Sequence, residues 1–248
     1  MTQFERYVKV MEVKRTLVVG DIHGCLEEFD ELLKKVQFNK NEDRLILVGD
    51  LIDRGPDSVG VVRRAREMNL ECTMGNHEYK FLRWYKGNKH YTTMKHYEEF
   101  SDADVTYINN MPTHLKVNDN LVIVHAGMKP GIPAEKQHKD DLLYLRFTDK
   151  NRKFISIKAI ARDGAEAHGA IFWTAFWHGP ESVVYGHHVH SEENPLIEEI
   201  SPGVKCYGID TGCCFGGRLT CLIVETGEIV QVQAKKVHYK SFKQEFSE

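Results

Sequence analysis

Side chains that could bind metal ions follow five short, strand-like segments of this sequence. In four cases a glycine separates the segment from the polar residue, and in the fifth the polar residue follows at once. The residues at these positions are Asp21, Asp50, Asn76, His125 and His187. His23, two places after Asp21, adds a second imidazole to the first position. This set of oxygen and nitrogen donors lacks thiolates and suits divalent ions such as Mn, Fe(II), Zn or Ni.

The number of candidate ligands indicates how many ions they could hold. Six protein ligands are too many for one catalytic ion, because such an ion must keep a coordination position open. Two ions that share a bridging carboxylate would use all six, and this arrangement hydrolyses phosphate esters in other proteins. The sequence therefore predicts a two-metal centre for phosphate chemistry.

The segment around Asp50 shows how the chain could position such ligands. Residues 45–48 are apolar and too few for a helix, which is typical of a strand buried on both faces. Gly49 allows a turn, so Asp50 is expected at the carboxyl end of that strand, where open α/β sheets bind ligands. Asp53 and Arg54 follow within the same turn. Such a group of charges is costly unless a charged ligand lies among them.

The segments between the candidate ligands predict helices that connect parallel strands. Residues 26–38 have the apolar spacing of an amphipathic helix, and a second helix is expected at about residues 59–68. Near the carboxyl terminus, residues 196–200, 205–209, 219–224 and 228–233 read as antiparallel strands that complete a second sheet. We expect one domain over residues 1–248, with a core at about 15–233 and a helical substrate lobe at about 79–110.

Composition excludes several classes of protein. The net charge of −3 argues against binding that is mainly electrostatic to nucleic acid, and no apolar run approaches the length of a membrane span. The first fifteen residues lack the apolar region of a secretory signal, and the six cysteines show no C-x-x-C spacing. We therefore expect a cytoplasmic protein with reduced thiols, no membrane partner and no stable nucleic-acid partner. The oligomeric state remains open.

Three motifs carry a resemblance to a known family. Gly20-Asp21-Ile22-His23-Gly24, Gly49-Asp50-Leu51-Ile52-Asp53-Arg54-Gly55 and Gly75-Asn76-His77-Glu78 resemble the signatures of the calcineurin-like metallophosphoesterases, within the phosphoprotein phosphatase superfamily. His125-Ala126-Gly127, Tyr185-Gly186-His187 and the segment 210–221 are similar to the symmetrical diadenosine tetraphosphatases. Asp53 and Glu78, however, follow the wider phosphatase family. The resemblance covers about residues 15–225.

The resemblance implies a fold and a ligand assignment. The fold would be a four-layer α/β/β/α sandwich of two mixed sheets flanked by helices. One ion would be held by Asp21, His23 and Asp50. The other would be held by Asp50, Asn76, His125 and His187, with Asp50 as the bridge. Mn is the metal that we expect, with Fe, Zn, Co and Ni as alternatives.

Four further residues receive roles in catalysis or substrate binding. His77 follows a ligand directly and is the candidate general acid for the leaving group, with Asp53 holding its imidazolium in place. Arg54 would bind phosphate oxygens as a planar fork. Arg146 is the second candidate for this role, because its segment resembles the arginine-bearing segment of the family.

Each assignment has a structural alternative. His125 could be a core histidine, Arg146 could be a surface arginine, and His187 competes with His188 and His190 for the last ligand position. We expect Glu78 to form hydrogen bonds with the turn and not to bind a metal ion. Cys213 and Cys214 fit loop packing better than nucleophilic catalysis.

The sequence is compatible with several substrates. Symmetrical hydrolysis of diadenosine tetraphosphate to two ADP is the leading hypothesis. The alternatives are a Ser/Thr or Tyr phosphoprotein phosphatase, a hydrolase of RNA caps or polyphosphate, and an inactive phosphate-binding protein. Residues 79–97 combine lysine and arginine with aromatic side chains that could stack a nucleobase or belong to a helix core. These aromatic residues are Phe81, Trp84, Tyr85, Tyr91 and Tyr97.

Overall fold

The computed structural model describes residues 13–88 and 95–240, which contain thirteen strands. In chain order the strands are β1 (Arg15–Val19), β2 (Asp43–Leu47), β3 (Glu71–Cys72), β4 (His114–Asn118), β5 (Leu121–Val124), β6 (Phe147–Thr148), β7 (Phe154–Ile155), β8 (Ile171–Phe172), β9 (Ser182–Tyr185), β10 (Leu196–Ser201), β11 (Val204–Gly208), β12 (Arg218–Ile223) and β13 (Glu228–Gln233). They form two five-stranded sheets and one small three-stranded sheet.

Helices connect or flank these strands. The α-helices are α1 (Leu26–Lys35), α2 (Ser58–Glu67), α3 (Asn76–Tyr85), α4 (Asp102–Asn109), α5 (Lys139–Tyr144) and α6 (Ile157–Asp163). Short 3-10 helices occur at Lys95–Glu99, Ala134–Lys136, Glu166–His168, Trp173–Phe176 and Cys213–Phe215. The predicted helices after the first two strands are confirmed, and the Asp57 side chain caps α2 by accepting a hydrogen bond from the Gly60 N–H. Within the described residues, every helix is too short or too polar to span a membrane.

The first sheet has the strand order β13-β12-β1-β2-β3. Strands β1, β2 and β3 are parallel, and α1 and α2 form the crossover connections between them. Strand β12 pairs antiparallel with β1. The carboxyl ends of β1, β2 and β3 therefore lie at one edge, directly before Asp21, Asp50 and Asn76.

The second sheet has the order β10-β11-β9-β5-β4 and is also mixed. Strand β9 runs parallel to both β5 and β11, while β4 and β10 are antiparallel edge strands. The prediction that the last four strands belong to one sheet was wrong, because β10 and β11 join this sheet and β12 and β13 join the first. Residues 219–223 of β12 are all buried, as a strand covered on both faces requires.

Apolar side chains fill three spaces between four layers. Phe29 of α1 and Val61 of α2 pack with Leu17 on the outer face of the first sheet. Between the two sheets lie Val18, Ile46, Val48, Leu121, Ile123, Val184, Ile209 and Leu222. Behind the second sheet, Trp173 and Trp177 pack with residues of β5 and β9. Successive side chains of β1 point alternately into the first two of these spaces. The predicted four-layer sandwich of two mixed sheets is confirmed.

The aromatic segment after the third motif is largely part of the core. Phe81, Trp84 and Tyr97 are buried and join the cluster beneath the first sheet, and their rings pack against one another. Tyr85 is half exposed, and Tyr91 lies outside the described residues. The described part of the predicted helical lobe at about 79–110 contains α3 and α4, whose apolar faces pack into the same cluster.

The space between the two sheets provides a test of the layered core. Ile46 is fully buried there, so Ile46→Ala should lower the free energy of unfolding by about 2–5 kcal/mol through lost burial and a new cavity. Ile197→Ala in β10 is the matched control, since this isoleucine is 43% exposed. Urea denaturation measures both values. Equal losses in the two variants would contradict this description of the core.

Candidate metal centre and cleft

Five of the predicted site residues have a backbone conformation that residues other than glycine rarely adopt. His23, Asp50, Asp53, Arg54 and His187 have φ angles of 46°, 50°, 69°, 68° and 68°. Each such residue costs free energy, and such conformations concentrate at functional sites where the surrounding structure holds them in place. The turns after β1, β2 and β9 therefore place these side chains at the expense of local strain.

Glycine is required before two of the ligands because carboxylates lie against the backbone. A Cβ atom on Gly186 would collide with Oδ1 of Asp21, and one on Gly75 would collide with Oδ1 of Asp50. The first contact joins the second sheet to the first, and the His187 N–H donates to the Asp21 carboxylate at 3.1 Å in the same place. The ends of strands from both sheets thus converge on one spot.

One group of potential ligands forms around His125. Its Nε2 lies 3.0 Å from Oδ1 of Asn76, 3.1 Å from Nδ1 of His187 and 3.4 Å from Oδ1 of Asp50. Nδ1 of His125 donates to the Val48 carbonyl at 2.9 Å, which leaves a lone pair on Nε2. His125, Asn76 and His187 are therefore brought together as predicted, and Asp50 lies beside them.

A second group lies on the other side of Asp50. Nε2 of His23 is 3.5 Å from Oδ2 of Asp50 and 4.0 Å from Oδ2 of Asp21. Nε2 of His77 is 3.8 Å from the same Asp50 oxygen. Nδ1 of His23 donates to the Ile52 carbonyl at 2.8 Å, and its Nε2 accepts from Arg54 at 2.5 Å. His23, like His125, therefore presents an unprotonated Nε2 to the site.

The electrostatics favour a cation at this place. Burial lowers the pKa values of His23, His125 and His187, so the imidazoles are neutral at neutral pH and can act as ligands. Burial and nearby carboxylates raise the pKa of Asp21. Burial would also raise the pKa of Asp50, but nearby groups that can carry positive charge, the Arg54 guanidinium among them, outweigh it and hold that pKa well below its usual value.

The donor set fits divalent metal ions. His23, Asp50 and His77 form one group whose potential ligand atoms all lie within 4.8 Å of one another, and Asp50, His125 and His187 form another. The two groups share Asp50, the residue that the resemblance assigns as the bridge. In the second group, the lone pair on Nε2 of His125 faces Oδ1 of Asn76 at 3.0 Å with no proton between them, a contact that a cation would satisfy.

Asp53 accepts hydrogen bonds from several elements that meet beside His77. Its carboxylate contacts Nδ1 of His77 at 2.6 Å, Nε2 of His96 at 2.9 Å, the Tyr97 hydroxyl at 2.9 Å and Nζ of Lys80 at 3.4 Å. Burial would raise the pKa of Asp53, but the hydrogen bonds from His77 and His96 hold it well below its usual value. The carboxylate is therefore ionised and fixes the orientation of the His77 ring.

Both predicted phosphate-binding arginines line a cleft of about 860 Å³ next to the ligand groups. Arg146 donates to the carbonyl of His187 at 2.8 Å, so it belongs to the site and is not a surface arginine. Burial lowers the pKa of Arg146 to about 10, which still leaves the guanidinium protonated at neutral pH. Arg54 reaches the cleft from the turn after Asp53.

The alternative residues take other positions. His188 and His190 line the cleft but pack their rings against Phe172, away from the His125 group. Glu78 accepts hydrogen bonds from the backbone N–H groups of Asp50, Leu51, Ile52 and Gly75, the structural contact that the sequence favoured.

The two adjacent cysteines are suited to packing. Cys213 and Cys214 are each 1% exposed. A contact with Cys25 and burial raise the pKa of Cys213, and burial raises the pKa of Cys214, so both thiols are protonated at neutral pH. The loop-packing interpretation agrees with this environment.

The sequence did not identify three residues that belong to the site. Asp210 lines the cleft, and burial raises its pKa to about 6, yet the motif that contains it gave no role to its side chain. His96 and Tyr97 contact Asp53 although they lie more than forty positions away along the chain. No spacing rule links such distant residues, so the sequence carried no signal for these contacts.

Comparisons with known proteins support the family assignment. Residues 14–216 match the calcineurin-like phosphoesterase family. A protein of Oceanobacillus iheyensis named bis(5′-nucleosyl)-tetraphosphatase PrpE [asymmetrical] is 31% identical, over 88% of this chain and 92% of that protein. A protein of Yersinia enterocolitica named bis(5′-nucleosyl)-tetraphosphatase, symmetrical, is 29% identical, over 84% of this chain and 87% of that protein.

Solved structures show the same relationship. A crystal structure assigned provisionally as a diadenosine tetraphosphatase has a TM-score of 0.73 and 29% identity, with 91% of this chain and 95% of that chain covered. A serine/threonine phosphatase from Saccharomyces cerevisiae shares the fold, with a TM-score of 0.54, 13% identity and coverage of 92% and 81%. The chain therefore belongs to the calcineurin-like phosphoesterases, the family that its three motifs predicted.

Proposed function

We propose that this protein hydrolyses diadenosine tetraphosphate symmetrically, with water as the second substrate and two ADP as products. The observation that carries the proposal is the pair of ligand groups that share Asp50 beside a cleft containing two arginines. Relatives named as bis(5′-nucleosyl)-tetraphosphatases support this choice of substrate. The central bond between the second and third phosphates would be the one that breaks.

The residues around Asp50 would hold two divalent ions. Asp21, His23 and Asp50 would bind one, and Asp50, Asn76, His125 and His187 would bind the other. Two ions at these residues would lower the pKa of a water molecule and activate it for attack on phosphorus. We propose Mn as the native metal, because half of the ligand residues offer oxygen and the others offer imidazole nitrogen.

His77 would transfer the proton that the leaving group needs. Its Nδ1 is held by Asp53 at 2.6 Å, so its Nε2 is directed to the side where Asp50 lies. The ionised Asp53 stabilises the imidazolium form, which can donate a proton to the departing phosphate oxygen. His96, Tyr97 and Lys80 support this arrangement by holding Asp53 in place.

The two arginines would bind and orient the polyphosphate. Arg54 and Arg146 line the same cleft and both lie close to the ligand groups, one at His23 and one at His187. Guanidinium groups bind phosphate oxygens through paired hydrogen bonds, which restricts the orientation of the chain. A phosphate between them would be held for attack from the metal side.

One observation favours a second activity. The hydrogen bond between Asp53 and His77 supports an efficient general acid, and such an acid matters most when the leaving group is a poor one, such as the alkoxide of phosphoserine or phosphothreonine. A phosphoprotein phosphatase is therefore the second candidate.

Product analysis tests the proposal and separates these activities. The Mn-loaded protein should convert diadenosine tetraphosphate to ADP alone, as read by ion-exchange chromatography. Equal amounts of ATP and AMP would show asymmetrical cleavage, the activity in the name of the Oceanobacillus relative. Turnover of a phosphoserine peptide without turnover of the dinucleotide would instead favour the second candidate.

The bridging role of Asp50 predicts a linked loss of metal and activity. Asp50→Asn keeps the size of the side chain and an oxygen that can accept from the backbone N–H of His77. It removes the negative charge that both ions would share. We expect loss of bound metal, read by inductively coupled plasma mass spectrometry, together with loss of turnover. Asp119→Asn in the exposed turn before β5 is the control. Normal activity in Asp50→Asn would refute the bridge.

The general-acid role of His77 predicts a loss of activity without a loss of bound metal. His77→Asn should keep its metal content but lose activity on the dinucleotide by about 10²-fold or more, since a positioned general acid contributes at least that much. The exposed His178 provides the control variant His178→Asn. A fall in metal content of His77→Asn would assign this histidine to the ligands instead.

A further inference from the structure

The segment after the last strand docks onto the loop that follows Asp210. The N–H groups of His238 and Tyr239 donate to the Cys214 carbonyl at 3.0 and 2.9 Å, and the Ala234 N–H donates to the Gly217 carbonyl at 2.9 Å. Buried Glu28 of α1 fixes the same segment, since it accepts from the backbone N–H of Lys235 at 3.0 Å. These contacts hold residues 234–239 in place.

This docking puts an exposed aromatic ring at the cleft. Tyr239 is 47% exposed and lines the cleft together with Phe215. The two ring centroids are 6.3 Å apart, and the ring planes meet at 60°. We call this pair the aromatic corner. A flat heterocycle could stack on one ring and contact the edge of the other. Proteins bind nucleobases by such stacking on aromatic side chains.

The aromatic corner is connected to the phosphate-binding end of the cleft through Arg54. The guanidinium carbon of Arg54 lies 5.1 Å from the centroid of Phe215, while one of its nitrogens contacts His23 in the candidate metal centre. One arginine therefore touches both the ring and the residues that would hold the metal ions. A ligand with a terminal phosphate at the ions and an aromatic group a few bonds away could contact both.

An acidic side chain borders the same loop. A Cβ atom on Gly212 would lie 3.4 Å from Cγ of Glu192 and 3.4 Å from a ring carbon of Phe215, so the two side chains are neighbours. Glu192 lines the cleft. A carboxylate repels phosphate but accepts hydrogen bonds from ribose hydroxyls or an exocyclic amino group. This part of the cleft is therefore suited to the nucleoside end of a nucleotide.

Three of the aromatic residues that the sequence suggested for base stacking belong to the core instead. Phe81, Trp84 and Tyr97 are buried in the core, and Tyr97 uses its hydroxyl to hold Asp53.

We propose that the aromatic corner of Phe215 and Tyr239, with Glu192 beside it, binds the purine base and ribose of one half of the substrate. The inference rests on the proposed function, because it places one adenosine of the dinucleotide. It adds a specificity site formed partly by the carboxyl-terminal segment. The base would stack here while Arg54 binds the adjoining phosphates.

The test compares ligands with and without a base. For the Mn-loaded enzyme, Tyr239→Ala should raise KM for diadenosine tetraphosphate about 10-fold, within the range for loss of one base–aromatic stack. Its kcat should stay within about twofold, because the role proposed for Tyr239 is binding of the base. Turnover of inorganic tripolyphosphate, which has no aromatic group, should not change. Tyr239→Phe should restore KM, and Phe154→Ala, which removes another exposed ring at 45% exposure outside the cleft, should leave it unchanged.

Equilibrium binding separates this inference from the proposed activity. By isothermal titration calorimetry, Tyr239→Ala should weaken ADP about 10-fold and leave inorganic pyrophosphate unaffected. If the wild-type protein fails to cleave the dinucleotide but still shows this pattern, the proposed function fails and the base site stands. If cleavage proceeds with equal KM in wild type and Tyr239→Ala, the function stands and the base site is refuted. An equal loss for ADP and pyrophosphate would also overturn the base site.

Discussion

The site depends on the convergence of hydrogen-bond acceptors on the buried carboxylate of Asp50. Unprotonated nitrogens of His23 and His125 lie 3.5 and 3.4 Å from its two oxygens, and Arg54 donates to that of His23. Acceptors that face one another in a buried space are unfavourable unless a cation lies between them. The left-handed backbone of Asp50, at a φ of 50°, adds a local cost. A function that uses cations explains why these costs are retained.

The packing between the two sheets offsets the free-energy cost of this arrangement. Residues between the sheets, such as Ile46 and Val184, are fully buried. This close packing holds rigidly the strands whose ends precede the candidate ligands. The contact of Gly186 with the Asp21 carboxylate requires the two sheets to keep a fixed separation at their carboxyl ends. The proposed general acid His77 depends on further contacts, since Asp53 is held by residues of α3 and of the following 3-10 helix. Helix α3 therefore takes part in both sets of contacts, because it begins at the candidate ligand Asn76 and carries His77.

Local patterns were sufficient to predict the parts of the site that depend on local geometry. A short apolar strand, a glycine and a ligand are adjacent in sequence, so the positions of Asp21, Asp50 and Asn76 at one sheet edge could be predicted. Contacts between distant segments could not, because the contact of His96 with Asp53 depends on how α3 packs into the core. The same reason explains why β12 and β13 were assigned to the wrong sheet, since β12 pairs with β1 near the other end of the chain. The aromatic residues of 79–97 could not be divided between core and surface without knowing which side of α3 faces the sheet.

The central claim is that two cations share Asp50, and a crystal of the Mn-soaked protein tests it most directly. Anomalous scattering should show two peaks about 3.5–4 Å apart, the separation found in two-metal sites, with a carboxylate oxygen of Asp50 bound to both. One peak should lie next to His23 and the other next to His125 and His187. A single peak, or two peaks that do not border Asp50, would contradict the account.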